Sequence, residues 1–267
     1  MIPARIGSTR FKMKNLALLN GKPMIAYAIM AALSSKVFDK VIVNSDSEVF
    51  RSIAEEYGAE FYLRPKHLGG SSVKSDDVVI DFIEKYPSDI IVWENPIAPL
   101  QTIEDIQNTI QHFFSNDLDS LFTVKNEQIQ CVYDNQPVNF EEQGKFLLTQ
   151  DLKPVCPFVP FIMMWKSSTF IKSFKEHGYA FFCGKVGYFP VSRFSSVIIK
   201  YEDDFRIAEM LMKSMSDNVK KIDYYSLLLL SINSSLLYPL SPEQSPSHPQ
   251  SMCSDEFGQN SKYSTSI

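Results

Sequence analysis

Residues 2–15 read Ile-Pro-Ala-Arg-Ile-Gly-Ser-Thr-Arg-Phe-Lys-Met-Lys-Asn and lead from an apolar opening into a segment with helical periodicity. Backbone N–H groups around Gly7 and the hydroxyl of Ser8 or Thr9 are suited to donate to phosphate oxygens, and the arginines and lysines neutralise phosphate charge. The stretch matches neither Gly-x-x-x-x-Gly-Lys-Ser/Thr nor Gly-x-Gly-x-x-Gly. It therefore predicts a triphosphate-binding loop of a different kind.

Downstream of this loop, short apolar runs alternate with segments of helical period. The apolar runs at 41–43, 61–63, 90–93 and 121–124 have the length of buried strands, and the segments between them have the length of helices. This alternation predicts an α/β fold with a doubly wound, mainly parallel, Rossmann-like sheet and helices on both faces. Ligands of such sheets lie outside the carboxyl ends of the strands. Four polar segments follow predicted strands, so we expect them to converge on one crevice.

The composition divides the chain into two parts. Residues 1–215 are predicted to form the main domain, within which 126–157 are polar and form a small β excursion from the sheet. The apolar run 158–165 is expected to return to the core, 188–199 to be β, and 202–213 to form a last helix. Residues 216–267 are rich in Ser, Pro and Leu, which predicts a disordered tail.

Bulk properties exclude several classes of protein. A net charge of -5 and a pI near 5.5 argue against a general nucleic-acid binder. The four cysteines have no metal-ligand or disulfide-framework spacing, which favours a reducing cytoplasm. No signal peptide is recognised, and the apolar run 226–240 is interrupted by polar residues and too short to span a bilayer, so no membrane partner is expected.

The order Ile-Pro-Ala-Arg-x-Gly-Ser-x-Arg-x-x-x-Lys-Asn resembles the signature of the acylneuraminate cytidylyltransferases, the CMP-sialic acid synthetase-like family. Leu63-Arg64-Pro65 is similar to a second signature of that family. The resemblance implies transfer of CMP from CTP to an acidic, sialic-acid-like nonulosonate with release of pyrophosphate. Two alternatives stay open: an enzyme of the Kdo-activating type, and a catalytically impaired relative that binds nucleotide without turnover.

The resemblance also implies roles for individual residues. Such transfers depend on positioning and charge neutralisation, so the catalytic parts are expected to be the cations Arg5, Arg10 and Lys14. Asn15 is expected to read the cytosine edge through its amide. The full set expected to bind the nucleotide is Ala4, Arg5, Gly7, Ser8, Asn15, Lys22, Arg64, Ser75 and Asn95.

Several of these residues also have a structural interpretation that involves no ligand. The opening motif could be a solvated basic loop, and Arg64 a surface residue at a strand end. Asp46 is either an anchor for nucleotide or metal, or an acidic residue in the first turn of the next helix. Ser75, with two aspartates after it, is also a good helix N-cap.

The chain differs from the family at positions where the family binds the metal ion and the sugar. Where the family has Asp-Ile-Asp, whose aspartates bind a divalent ion, this chain has Ile198, Ile199 and Lys200. Mg²⁺ is thus implied by the resemblance, with Asp46 as the candidate ligand and 202–204 as acidic neighbours. The turn at 95–100 keeps both prolines of the family's Gln-Pro-Thr-Ser-Pro-Leu but has Ile97 and Ala98 in place of its hydroxyls.

Two further expectations concern the scaffold. The family packs the region corresponding to 126–157 against a second subunit, which implies a homodimer. Only Met1 precedes the Ile-Pro-Ala-Arg motif, so either the first strand is short or the chain is a truncated form of a longer one. A shortened strand is expected to support the loop less well.

Overall fold

The computed structural model describes residues 1–8 and 10–216. These residues form eleven strands and six α-helices. In chain order they are β1 (Ile2–Ala4), β2 (Leu18–Leu19), β3 (Lys22–Pro23), α1 (Met24–Ser35), β4 (Ile42–Ser45), α2 (Val49–Glu56), β5 (Glu60–Leu63), α3 (Ser75–Lys85), β6 (Ile90–Glu94), α4 (Ile103–Ser115), β7 (Ser120–Val124), β8 (Val132–Tyr133), β9 (Gln136–Pro137), β10 (Phe158–Lys166), α5 (Ser167–His177), β11 (Val186–Pro190) and α6 (Glu202–Ser216). Short 3₁₀ turns occupy Lys14–Leu16, Lys66–Gly69 and Thr149–Asp151.

The chain divides into a compact unit, Met1–Met210, and a second unit, Leu211–Ile267. Of the second unit only the end of α6 lies within the described residues. The tail predicted for 216–267 lies outside them, apart from Ser216 at the end of α6. No helix in the described part of the chain combines the length and the apolar character needed to cross a membrane.

The strand that carries the opening motif lies in the middle of the sheet. β1 pairs in parallel with β4, with Ile2 opposite Val43, and β4 pairs in parallel with β5. On its other side Met1 continues the ladder, since its amino group donates to Val92 O at 2.8 Å and its carbonyl accepts from Glu94 N at 3.0 Å. Short as it is, β1 is therefore held by two neighbouring strands.

The strands form two hydrogen-bonded groups, in the orders β11-β7-β10-β6 and β1-β4-β5, and the two backbone hydrogen bonds of Met1 join β6 of the first group to the start of β1. β10 is antiparallel to both β6 and β7, whereas β11 is parallel to β7. No α-helix lies between β7 and β10 in the chain, and without a helical crossover a strand returns beside its predecessor in the opposite direction. The predicted mainly parallel sheet is confirmed, with β10 as its antiparallel member.

Helices cover both faces, as predicted. Neighbouring residues of one strand point to opposite sides, so Ile42 packs with α3 and α5 while Val43 packs with α1 and α2. In β10, Trp165 likewise faces α5, and Met164 faces α4. The excursion at 126–157 contains the small hairpin β8–β9 and an isolated bridge between Glu127 and Val155.

The prediction that 188–199 is β is wrong beyond Pro190. Residues 191–199 form a loop: after Val191, whose N–H still donates to Val124 O of β7, the polar groups bond within the loop or to other elements. Ser192 N donates to Asp105 Oδ1 at 3.2 Å, and Ile199 N donates to Ile97 O at 2.8 Å. This anchored loop, which we call the 191–200 loop with Lys200 as its last residue, borders the site described below.

Candidate functional site

A cavity of about 300 Å³ opens at the carboxyl ends of β1, β5 and β6. This is the edge on which the polar segments were predicted to converge. Nine of the residues predicted to form the site line it, namely Ala4, Arg5, Ser8, Arg10, Lys14, Asn15, Arg64, Ser75 and Asn95. The structure therefore assembles most of the predicted set from four separate segments of the chain.

Two predicted nucleotide-binding residues are not among those lining the cavity. Gly7 is exposed, and a Cβ built on it would meet no atom within 4 Å. Lys22 lies on the β2–β3 hairpin, where its Nζ is 5.7 Å from the centre of the Tyr57 ring. Their predicted roles remain predictions. Thr9, the alternative hydroxyl donor, falls outside the described residues.

Asp46 also lies outside the lining and has a structural task. Its Oδ1 accepts a hydrogen bond from Ile6 N at 3.1 Å, and a Cβ on Gly69 would collide with its carboxylate. Asp46 therefore holds the loop after β1 by a hydrogen bond and packs closely against Gly69. Because α2 begins only at Val49 and has no acidic residue in its first turn, the alternative reading of Asp46 as a first-turn acid is wrong.

The position of Ser75 contradicts its alternative interpretation as a helix N-cap. α3 begins at Ser75 itself, and Lys74 occupies the N-cap position without a side-chain hydrogen bond. The N-cap reading of Ser75 is therefore wrong. Its side chain is half-buried and lines the cavity, where a hydroxyl is free to face a ligand.

Arg64 is a buried residue rather than a surface one. Its exposed fraction is 5%, and its Nη1 donates to the carbonyl and the side-chain oxygen of Asn44 at 3.2 and 3.4 Å. Burial lowers its pKa from the ordinary value of arginine. Leu63-Arg64-Pro65 thus directs a fixed cation into the site.

All charged residues that line the cavity are positively charged. Five cationic residues line it, and none of the described lining residues is a carboxylate; the cations are Arg5, Arg10, Lys14, Arg64 and Lys200. Lys14 Nζ donates to Ile199 O at 2.8 Å. Partial burial, and then the nearby charges of Arg10 and Arg5, lower the pKa of Lys14 to about 8. Such a site is built for an anion.

Three buried polar atoms of lining residues have no hydrogen-bond partner within the described part of the chain. They are Asn15 Oδ1, Arg64 Nε and Trp93 Nε1. Leaving a buried donor or acceptor unpaired costs about 1–3 kcal/mol. A ligand with both donors and acceptors would satisfy them, and Asn15, with 6% of its surface exposed, is shielded enough to read a base edge.

The sequence-based prediction of the site missed several lining residues, among them Trp93 and Lys200. Trp93 stands near the carboxyl end of β6, so the strand-end rule that selected Asn95 could also have selected it. Lys200 was noted only as a departure from the family pattern, because nothing local indicates where the 191–200 loop ends. Asn95 itself lines the cavity and accepts from Ile97 N at 3.4 Å, which fixes the turn.

The residues present do not fit the Mg²⁺ ion implied by the resemblance. Protein sites for Mg²⁺ use one or two carboxylates together with substrate phosphates. Asp204 is engaged elsewhere, since its Oδ2 accepts from Lys200 N and Tyr201 N, both at 2.8 Å, which caps α6. Within residues 1–8 and 10–216, no three His, Cys, Asp or Glu side chains are grouped to hold a metal.

The buried carboxylate of Asp105 anchors the 191–200 loop. It accepts hydrogen bonds from Thr102 Oγ1, Ser192 Oγ and Ser195 Oγ. Replacing Asp105 by Asn turns one acceptor into a donor facing these hydroxyls. We expect Asp105→Asn to lower the free energy of unfolding by about 1–3 kcal/mol in urea titrations and to weaken nucleotide binding.

The control for this substitution is Asp39→Asn. Asp39 is exposed in the loop between α1 and β4, away from Asp105 and from the 126–157 segment. Its unfolding curve is expected to match that of the unchanged protein. Equal stability of Asp105→Asn and the unchanged protein would show that the loop is held by other contacts.

Comparisons with known proteins show which family the chain belongs to. The N-acylneuraminate cytidylyltransferase of Escherichia coli O18:K1:H7 is 48% identical over 79 residues, which cover 30% of this chain and 19% of the relative. The chain thus spans about a fifth of that relative's length. The pseudaminic acid cytidylyltransferase of Campylobacter jejuni serotype O:2 is 32% identical over 164 residues, 57% of this chain and 71% of the relative.

Among solved structures, the CTP complex of CMP:2-keto-3-deoxy-manno-octonic acid synthetase has the same fold. Its TM-score is 0.61 at 14% sequence identity, with 80% of this chain and 97% of that chain covered. The family model described as Cytidylyltransferase matches residues 1–228, which include every residue of the cavity. The resemblance indicated by the opening motif is therefore confirmed, and this chain belongs to the cytidylyltransferase family.

Proposed function

We propose that this protein transfers CMP from CTP to an acidic sugar of the nonulosonate class and releases pyrophosphate. The observation that carries the proposal is the meeting of Arg5, Arg10, Lys14 and Asn15 with Arg64 in one cavity without a carboxylate. Four cations suit a triphosphate and an acidic co-substrate. Family membership and the names of the relatives agree with this chemistry.

Selection of cytosine is assigned to Asn15. The free acceptor of its buried amide matches the amino group of cytosine, a donor that uracil lacks. Because Asn15 is almost fully buried, water competes poorly for this hydrogen bond. CTP is therefore the expected nucleotide, and UTP the one that the site rejects.

The reaction proposed is an in-line displacement at the α-phosphorus. A sugar hydroxyl oxygen forms the new O–P bond, the bond from the α-phosphorus to the bridging oxygen breaks, and pyrophosphate leaves with that oxygen. The hydroxyl proton passes to solvent. Arg5, Arg10 and Lys14 neutralise the charge that develops on the phosphoryl oxygens, which is the main contribution a protein makes to such transfers.

Pyrophosphate release tests the proposal. The protein is incubated with CTP and Mg²⁺ and with each of a panel of acidic sugars, including N-acetylneuraminic and pseudaminic acids, and pyrophosphate is measured enzymatically. Release that requires both CTP and one of the sugars is expected. CTP binding without release for any sugar would favour the second candidate, a nucleotide-binding relative without turnover.

One observation favours that second candidate. Ile97 lines the cavity with an apolar side chain, and Ala98 beside it is fully buried, so this turn offers the sugar no hydroxyl at either position. A sugar held here would rely on apolar contact with Ile97 and on the cations for its carboxylate. The panel should therefore include nonulosonates with different side-chain acylation.

Nucleotide affinity is expected to fall as the pH rises through 8. Without nucleotide, Lys14 loses its proton with a pKa of about 8, and a bound triphosphate favours the charged form. Binding therefore takes up a proton above that pH, and the affinity falls by at most about tenfold per pH unit. Calorimetric titrations of CTP at several pH values check this, and Lys14→Met should remove the Lys14 part of the dependence.

We also propose a homodimer formed through residues 126–157. Large apolar side chains in this segment are exposed, with Tyr133 at 80% and Phe146 at 85%, as are Ile129, Val132, Val138, Leu147 and Leu148. An apolar surface of this kind is typical of an interface, and the resemblance points to a second copy of the chain as its partner.

Light scattering after size exclusion tests the dimer. The double variant Tyr133→Asp/Phe146→Asp is expected to halve the measured mass, because two charges cannot be buried in an apolar interface. Phe114→Asp, on the exposed side of α4, is the matched control and should leave the mass unchanged. A monomeric unchanged protein would refute the proposal.

A reducing cytoplasm remains the proposed location of the protein. Cys131 and Cys183 are not in disulfides, which agrees with a compartment that keeps thiols reduced. Fractionation of cells expressing the chain would test the location directly.

A further inference from the structure

Lys200 occupies a fixed place at the edge of the cavity. Its backbone N–H donates to Asp204 Oδ2 at 2.8 Å, and the preceding residue, Ile199, donates to Ile97 O at 2.8 Å. The backbone on both sides of Lys200 is thus held by α6 and by the turn after β6. The side chain of Lys200 lines the cavity from this anchored position.

Lys14 and Lys200 are held next to each other. Lys14 Nζ donates to Ile199 O at 2.8 Å, so its ammonium group lies against the residue that precedes Lys200. The charge of Lys200 also contributes to the lowered pKa of Lys14. Two ammonium groups that repel each other are stabilised once an anion lies between them.

A carboxylate ligand for a divalent ion is missing from the described lining. Asp46 is used to hold Ile6 N, and Asp204 is used to cap α6. An ion bound only through the nucleotide's own phosphates would meet the repulsion of Lys14 and Lys200. The neutralising charge at this end of the cavity therefore comes from the chain itself.

We propose that Lys14 and Lys200 bind the triphosphate oxygens of the nucleotide directly, so that nucleotide binding does not require a divalent cation. The inference rests on the proposed function for the identity of the nucleotide. It assigns a binding role to Lys200, whose cationic side chain takes the position at which the resemblance places a metal-binding acid. It also replaces Mg²⁺ as the expected source of positive charge for binding.

Calorimetric titration of CTP tests the proposal. For the unchanged protein, the dissociation constant in excess EDTA is expected to agree within about threefold with that in Mg²⁺, whereas Lys200→Met should raise the value in EDTA at least about tenfold, as expected for loss of a charge-assisted bond. Lys172→Met is the matched control, because Lys172 is exposed on α5 away from the cavity. It should bind CTP as tightly as the unchanged protein.

Lys200→Asp provides the reciprocal test. This variant places a carboxylate in the lining, so it should bind CTP weakly in EDTA and recover affinity when Mg²⁺ is added. Circular dichroism of both Lys200 variants should match that of the unchanged protein, since the side chain is exposed to the cavity and to solvent rather than packed in the core. A mere loss of folding would be seen in that spectrum.

Inorganic tripolyphosphate separates this inference from the proposed function. Binding of tripolyphosphate in EDTA that Lys200→Met weakens, without any binding of CTP, would uphold the lysine pair and refute the nucleotide assignment. CTP binding by the unchanged protein only in the presence of Mg²⁺ would overturn the inference and leave the proposed function standing. Equal affinities of Lys200→Met and the unchanged protein in EDTA would overturn it as well.

Discussion

Replacing Lys14 by methionine is expected to lower kcat/KM for CTP by about 10²–10³-fold, the usual cost of removing one donor to the charge that develops in a transition state. Lys14 Nζ is partly buried among Arg5, Arg10 and Lys200, where an anion interacts more strongly than it does in water. Methionine keeps most of the length of the side chain and removes the charge. Steady-state pyrophosphate release with varied CTP measures the effect.

Lys12→Met is the control for this prediction. Lys12 stands two residues away in the same motif, but it is exposed and does not line the cavity. Its substitution is expected to change kcat/KM less than about twofold, as for a surface charge in water. Equal losses for the two variants would mean that the loop acts through its net charge, and no loss for Lys14→Met would exclude Lys14 from the site.

Replacing Trp165 by alanine is expected to reduce the free energy of unfolding by about 3–5 kcal/mol, the range for a buried tryptophan or phenylalanine. Trp165 is fully buried in β10, and its Nε1 donates to Phe181 O at 2.7 Å. Its ring lies 5.0 to 6.0 Å from the rings of Phe122, Phe170 and Phe181. The substitution removes both the packing and the hydrogen bond at the point where α5 meets the sheet.

Urea unfolding followed by circular dichroism measures this loss. Tyr179→Ala serves as the control, because Tyr179 is 64% exposed and should change stability by no more than about 0.5 kcal/mol. A change below about 1 kcal/mol for Trp165→Ala would show that the aromatic cluster does not hold α5 against the sheet.

Much of the scaffold follows from local sequence. The runs at 61–63, 90–93 and 121–124 lie within β5, β6 and β7, and the run at 41–43 overlaps β4, which begins at Ile42. Parallel strands must begin at one edge and end at the other, so the polar residues after β1, β5 and β6 could be assigned to one cavity before any coordinates were known. Arg5, Arg64 and Asn95 line the cavity, as this rule predicts.

The local sequence pattern gave a wrong prediction for the 191–200 loop. Its apolar and β-branched residues favour a strand, yet β11 ends at Pro190. Ser192 and Ser195 bond to Asp105, and Ile199 bonds to Ile97, so α4 and the turn after β6 satisfy the groups of the loop that a strand ladder would otherwise pair. Such bonds join residues about 90 or more positions apart, and no pattern within a short window indicates them.

The sequence by itself determined the class of fold, the edge of the sheet that carries the site and the family, because strand length, helical period and a dense motif are all local properties. Only the tertiary structure decided that Arg64 is buried beside Asn44 instead of lying on the surface, and that Asp46 serves as an anchor for Ile6 N. It also decided that Lys200 lies beside Lys14, because this placement depends on the hydrogen bond from Lys14 Nζ to Ile199 O, and these two residues are 185 positions apart in the chain.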